Sequence, residues 1–151
     1  MPTLGIKLDV KIEHRRGKKL LSRQNVKNIA VNAGLNWART HLGSSGTTRA
    51  DYIGLSSNVS APAAGDTDLG VTVLTDSGLA RAQGTYAAGG TGVYTMAKTF
   101  TATATKTVAS VGLYYSATTP DNLLAGVAVA SVTLATNDTL TITWTVTVAN
   151  V

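Results

Sequence analysis

Cysteine is absent from this chain, which removes disulfides and thiolate metal sites and leaves stability to packing, sheet pairing or assembly. Charge is scarce: 14% of the 151 residues are charged and 44% are apolar, a globular composition for one domain, or for one domain with an appended arm. No apolar run approaches the length of a membrane-spanning helix, and the first residues lack the charged, apolar and small-residue order of a secretory signal. A soluble protein that nothing addresses for export is therefore expected. Glutamate occurs once, as Glu13, and histidine twice, as His14 and His41, neither inside a local motif. A nucleophile with its base, a carboxylate pair or a metal cluster is not visible in the pattern, so the expectation is no enzyme, no cofactor and no metal. Residues 1–36 also lack any aromatic side chain on which a nucleic-acid base could stack.

What is present is alternation. In residues 139–148, Thr139, Thr141, Thr143, Thr145 and Thr147 interleave with Leu140, Ile142, Trp144, Val146 and Val148. Strand side chains alternate faces, so this segment is predicted to be a half-buried β-strand with its apolar residues inward and its threonines outward. A helix would scatter the same apolar groups around its circumference. Residues 6–13 repeat the pattern, with Ile6, Leu8, Val10 and Ile12 between Lys7, Asp9, Lys11 and Glu13. His14-Arg15-Arg16-Gly17-Lys18-Lys19 then suits a tight basic turn, and Leu20-Leu21 starts a returning strand.

Further strands are expected at 52–56, 71–75, 79–86, 93–105, 108–115 and 123–134. Helical spacing begins at Asn25 and predicts one helix at about 28–42, with Ile29, Ala33, Trp37 and Leu42 near one face. Asn25 or Asn28 serves as N-cap, Gly43 as the stop, and Trp37 as a core residue. The expected fold class is mainly β: an antiparallel β-sandwich or jelly roll with one N-terminal helix and a basic N-terminal strand or hairpin arm. Residues 1–24 form that arm and residues 25–151 the sandwich domain. The Gly43-Ser44-Ser45-Gly46-Thr47-Thr48 loop separates the basic N-terminal part from the β body.

The net charge of +5 hides a split. Residues 1–50 hold ten lysines and arginines against Asp9 and Glu13, whereas residues 51–151 hold Arg81, Lys98 and Lys106 against six aspartates. A basic segment on a slightly acidic body points to an acidic partner, and Lys7, Lys11, Arg15, Arg16, Lys18, Lys19 and Arg23 are the candidate contacts. Nucleic acid is the rival partner, disfavoured by the missing aromatics and limited to non-specific phosphate contact. Ala88-Gly89-Gly90-Thr91-Gly92 is a turn, since no Lys-Ser/Thr and no helix follow it as in a phosphate cradle. Asp66-x-Asp68 beside Gly65 offers oxygens to calcium, but turn capping is the favoured role. The threonine rows lack the regular repeat that ice binding needs and read as a solvated sheet face.

Several segments in this order carry a resemblance. They are residues 28–38, the stretch Tyr52-Ile53-Gly54-Leu55-Ser56 through Pro62 to Asp66-Thr67-Asp68-Leu69, then Val111-Gly112-Leu113-Tyr114-Tyr115, and finally strand 139–148. Together they resemble small structural proteins of tailed-bacteriophage virions, over most of residues 25–151. Gly70-Val71-Thr72 departs from that pattern where an acidic residue is usual. The resemblance implies a virion role, with a capsid decoration (cement) protein favoured and a tail or fibre-associated protein as runner-up. It implies the major capsid protein or another virion protein as partner, no membrane, a position on the capsid surface, and synthesis in the host cytoplasm. A homo-oligomer, with a trimer favoured, is expected from exposed sheet edges and uncharged threonine faces.

Overall fold

Period-two alternation becomes nine strands in the computed structural model, which describes residues 4–43, 49–70, 72–118 and 121–150. They are β1 (Leu4–Arg16), β2 (Lys19–Ala30), β3 (Tyr52–Ser56), β4 (Ala82–Gln83), β5 (Thr85–Ala88), β6 (Val93–Thr101), β7 (Lys106–Tyr114), β8 (Leu123–Leu134) and β9 (Thr139–Asn150). One helix, α1 (Asn32–Gly43), follows β2. All pairings are antiparallel. Sheet I runs β2-β1-β9-β6-β5 and sheet II runs β4-β3-β7-β8, and the two pack as a sandwich. Strand β2 belongs to both, because its last residues Ile29 and Ala30 leave β1 and pair with Gly126 and Ala125 of β8. Where β2 and β8 diverge, the Gln24 side chain bridges them, donating to the Ala130 carbonyl and accepting from the Ala130 N–H, each at 2.9 Å.

The core fills the space between the sheets. Leu8, Val10 and Ile12 of β1 and Leu140, Ile142, Trp144 and Val146 of β9 meet Ile53, Leu55, Val111, Leu113, Leu124, Val132 and Leu134 of sheet II. The inward and outward faces of residues 139–148 are those read from the sequence; Val148, near the end of the strand, keeps the alternation but is exposed.

Sheet II is covered on its other side as well. Gly54, Gly112 and Gly126 sit side by side across β3, β7 and β8. A Cβ at these positions would come within 2.7 to 2.9 Å of Tyr114, Leu123 or Pro62 side-chain atoms. The glycine row is thus a trough that admits the Tyr114 ring, Leu69 and Pro62 against the sheet, in a second small core with Val31 and Leu123. Helix α1 lies against β8 with equal closeness, since a Cβ on Gly34 would stand 2.1 Å from the Leu124 carbonyl oxygen. That contact explains a glycine inside a helix, where it costs about 1 kcal/mol relative to alanine.

The structure differs from the sequence expectations in five places. Residues 1–24 are no appended arm over their described part: β1 lies between β2 and β9, with Leu8, Val10 and Ile12 in the main core. The helix starts at Asn32, not at 25 or 28, because Asn25, Val26, Lys27 and Asn28 pair with β1 and extend β2. Long-range pairing overrides the local spacing there. The segment expected as a strand at 79–86 divides into β4 and β5, which lie in different sheets with Gly84 between them. The strand expected at 93–105 ends at Thr101, where Ala102 is held by backbone bonds to Asn137 and Asp138. Around 72–74 the chain makes only a bridge from Val73 to Ser56 in place of a strand. The expected boundary loop falls mostly on residues 44–48, outside the described residues, as do the side chains of Ile29, His41 and Leu42.

Candidate partner-binding face

The odd-numbered residues of β1 point away from the core, and so do Arg23, Asn25 and Lys27 of β2 and the β9 threonines. Register sets them in rows across sheet I: Lys27, Asp9, Thr145 and Thr95; then Asn25, Lys11, Thr143 and Ala97; then Arg23, Glu13, Thr141 and Thr99. The result is a flat face, basic on the β1–β2 side and hydroxyl-covered on the β9–β6 side, where Thr99 and Thr141 hydrogen-bond at 2.9 Å. A shallow hollow of about 520 Å³ lies at its centre, lined among others by Lys11, Asn25, Lys27, Thr95, Thr143 and Thr145.

Of the seven cations singled out from the sequence, four belong to this face. Lys7 pairs with Asp9 at 3.4 Å. Lys11, Arg15 and Arg23 all converge on Glu13, at 3.1, 3.4 and 3.1 Å. The bond from Arg23, then that from Lys11, pulls the Glu13 carboxyl down to about 2. Together with Lys27, these make five cations against two carboxylates, so the face keeps a net positive charge. Lys18 lies in the β1–β2 turn, which Gly17 closes at a φ of +57° that other residues adopt at a cost, and Lys19 opens β2. Neither lysine is engaged in an ion pair within the described residues. Lys27 was missed by the sequence reading, although the alternation Arg23-x-Asn25-x-Lys27 carries the signal once β2 is known to continue past residue 24.

Arg16 belongs elsewhere. It reaches to the inner side and holds Asp138 with two bonds, Nε to Oδ1 at 2.8 Å and Nη2 to Oδ2 at 3.0 Å. His14 Nε2–H donates to the same carboxylate at 2.8 Å, and the Ala135 N–H at 2.9 Å. Asp138, fully buried in the β8–β9 turn, thereby latches that turn to the tip of the β1–β2 hairpin. Arg16 first, then His14 and the Ala135 amide, hold its carboxyl well below the usual carboxylate range.

A pH dependence follows from these two depressed carboxyls. Each contributes its full stability above the unfolded carboxylate value of about 4 and loses it as pH falls through the folded one. The urea midpoint is expected to drop between about pH 5 and pH 2. Asp138→Asn should lower the neutral-pH midpoint and flatten that acid limb. An acid limb equally steep in Asp138→Asn would show that the latch is not its source.

Three of the four segments that carry the phage resemblance, 28–38, 52–69 and 111–115, meet on the outer side of sheet II, where their polar groups serve the fold, whereas 139–148 is β9 of sheet I. Asp66 caps its turn by accepting from the Ala63 N–H at 2.8 Å. Asp68 accepts from the Tyr114 hydroxyl at 2.6 Å, from the Leu69 N–H at 2.8 Å and from Arg81 at 3.4 Å. Arg81, its side chain 1% exposed, lies over the Tyr114 ring at 3.5 Å and donates to the carbonyls of Ser116, Thr118 and Asp121. Its guanidinium thus ties Ser116, Thr118 and Asp121 to Asp68, and Asp121 and the following Asn122 adopt positive φ. Burial, then the bond to Asp68, pushes the Tyr114 hydroxyl far above the ordinary tyrosine range. Arg81 was read from the sequence only as a charge, because nothing local marks it as a clamp. No protein-family model, curated protein or solved structure matches this chain.

Proposed function

We propose that this protein is a non-catalytic structural component of a tailed-phage virion, a capsid decoration protein that seats the outer face of sheet I on an acidic surface of the shell. The observation that carries this reading is the basic half of that face. Its cations stand on paired strands in the middle and at one margin of a sheet, so their spacing is set before contact and little ordering entropy is lost on docking. The threonine half adds a flat, uncharged surface that accepts hydrogen bonds and brings no like charge against the partner. The virion assignment itself comes from the sequence resemblance, which admits a tail or fibre position as second choice. Non-specific binding of nucleic acid ranks third.

Exposed charges steer association and are screened beyond ~10 Å at 0.1 M salt. A double variant, Lys7→Gln and Lys27→Gln, removes two cations of this face: Lys7 holds only an exposed pair with Asp9 and Lys27 none within the described residues, so its stability should stay close to the parent's. It is expected to bind shells stripped of this protein more slowly and with a shallower salt dependence. Unchanged association rates across a salt series would sink the face assignment. Stronger binding to duplex DNA than to stripped shells at physiological salt would favour the nucleic-acid reading, and labelling confined to tails would favour the tail reading.

A further inference from the structure

Strand β5 is the last strand of sheet I and is paired on one side only, with β6 in unbroken register from Thr85 opposite Ala97 to Ala88 opposite Tyr94. All four of its residues are exposed, and alternate N–H and C=O groups of such a strand turn outward without a partner. Natural edge strands are usually guarded by lysine, proline or a bulge. Here none of these occurs: residues 84–92 contain no charged side chain and no proline, and the β5–β6 register has no bulge. The other sheet margins differ. Strand β2 carries Lys19, Arg23 and Lys27 and is tied to β8 through Gln24, and β4 has only two residues.

The margin also carries an aromatic. Tyr86 is 56% exposed, on the inner side of sheet I, with its ring 5.5 Å from that of Tyr94, which in turn packs against the main core. An apolar strip therefore runs from the core outward to the unguarded edge.

We infer that β5 pairs antiparallel with β5 of a second copy, continuing sheet I across a two-fold axis. The edge is self-complementary in charge, because no residue on it repels its own copy, whereas a homotypic pairing of β2 would bring cations against cations. A two-fold axis perpendicular to the sheet keeps inner residues inner, so Tyr86 must meet an even-numbered residue of the second copy. The register that sets Tyr86 opposite Ala88 lays each ring over a methyl group and puts Ala87 opposite its own copy at the axis. Such a contact closes after two copies, in place of the trimer suggested by the threonine faces. It leaves the basic half of the outer face, three and four strands away, free for a partner.

The contact is short, so association is weak and the test spans protein concentrations from ~10 μM to ~1 mM. In sedimentation velocity the parent is expected to shift from one chain toward two across this range. Ala87→Lys and Ala87→Asp, each at an exposed position and each retaining the parent's urea midpoint, are expected to stay at one chain. Their equimolar mixture should regain the two-chain species, because opposite charges then face each other at the axis. A parent that remains a single chain throughout overturns the inference; so does an Ala87→Lys variant that associates like the parent, or a mixture that stays monomeric.

Discussion

A chain that begins at Asn25 is expected to remain unfolded. Removing residues 1–24 takes away β1 and half of β2, and with them Leu8, Val10 and Ile12, all buried between the sheets. Full burial of one such side chain is worth about 1.5–3 kcal/mol, so the three together amount to roughly 5–9 kcal/mol. A domain of this size is stable by about 5–15 kcal/mol in total. The deletion also strips β9 of its twelve-residue pairing with β1 from Leu4 to Arg15 and removes both side-chain donors to Asp138, His14 and Arg16. Circular dichroism and urea titration of the truncated chain should show no cooperative transition. A native-like spectrum with a sigmoidal unfolding curve would mean that the hairpin is separable after all.

Trp144→Ala is expected to cost about 3–5 kcal/mol, the range for deleting a buried large aromatic. Trp144 is 0% exposed and lies in register between Val10 of β1 and Met96 of β6, at the centre of sheet I's inner face. Neighbours on three strands cannot all move into the space it leaves, so a cavity remains. Among the described residues its Nε1 has no hydrogen-bond partner, so truncation orphans none of them and the loss is one of packing. Trp144→Phe, which keeps much of the volume and removes the unpaired N–H, should cost clearly less than Trp144→Ala. Thr143→Ala on the outer face should cost under about 1 kcal/mol. Equal losses for Thr143→Ala and Trp144→Ala in a denaturant titration would show that the two faces of β9 had been exchanged.

These faces were legible because strand alternation is a local property: each residue of 139–148 carries its own inward or outward label, and the burial of Leu140, Ile142 and Trp144 agrees with it. The same holds for Lys7 and Lys11, whose outward positions follow from Ile6, Leu8, Val10 and Ile12 around them, whereas Arg15, read as part of a turn, and Arg23, between Ser22 and Gln24, take theirs from the pairing of β1 with β2. Residues 25–30 show the opposite case. Their apolar spacing is compatible with a helix, and what makes them strand is pairing with Leu8, Asp9, Val10 and Lys11, and then with β8. Arg16 was indistinguishable in the sequence from the cations around it. Its partner Asp138 lies 122 positions away and reaches it only because β9 returns alongside β1. Arg81, likewise, becomes a clamp only when the carbonyls of Ser116, Thr118 and Asp121 come to lie beside it.

The amino-acid sequence alone determined the strand-rich class, the inward and outward sets of the long alternating strands and the basic character of the β1–β2 hairpin, since each depends on neighbours within a few residues. Tertiary structure alone decided that the hairpin is the middle of a sheet and not an arm, that β2 joins both sheets, that glycines 54, 112 and 126 line one trough, and which edge is left unguarded. Strand order and register are chosen by the summed burial and pairing of residues far apart in the chain, and no short window of sequence contains that sum.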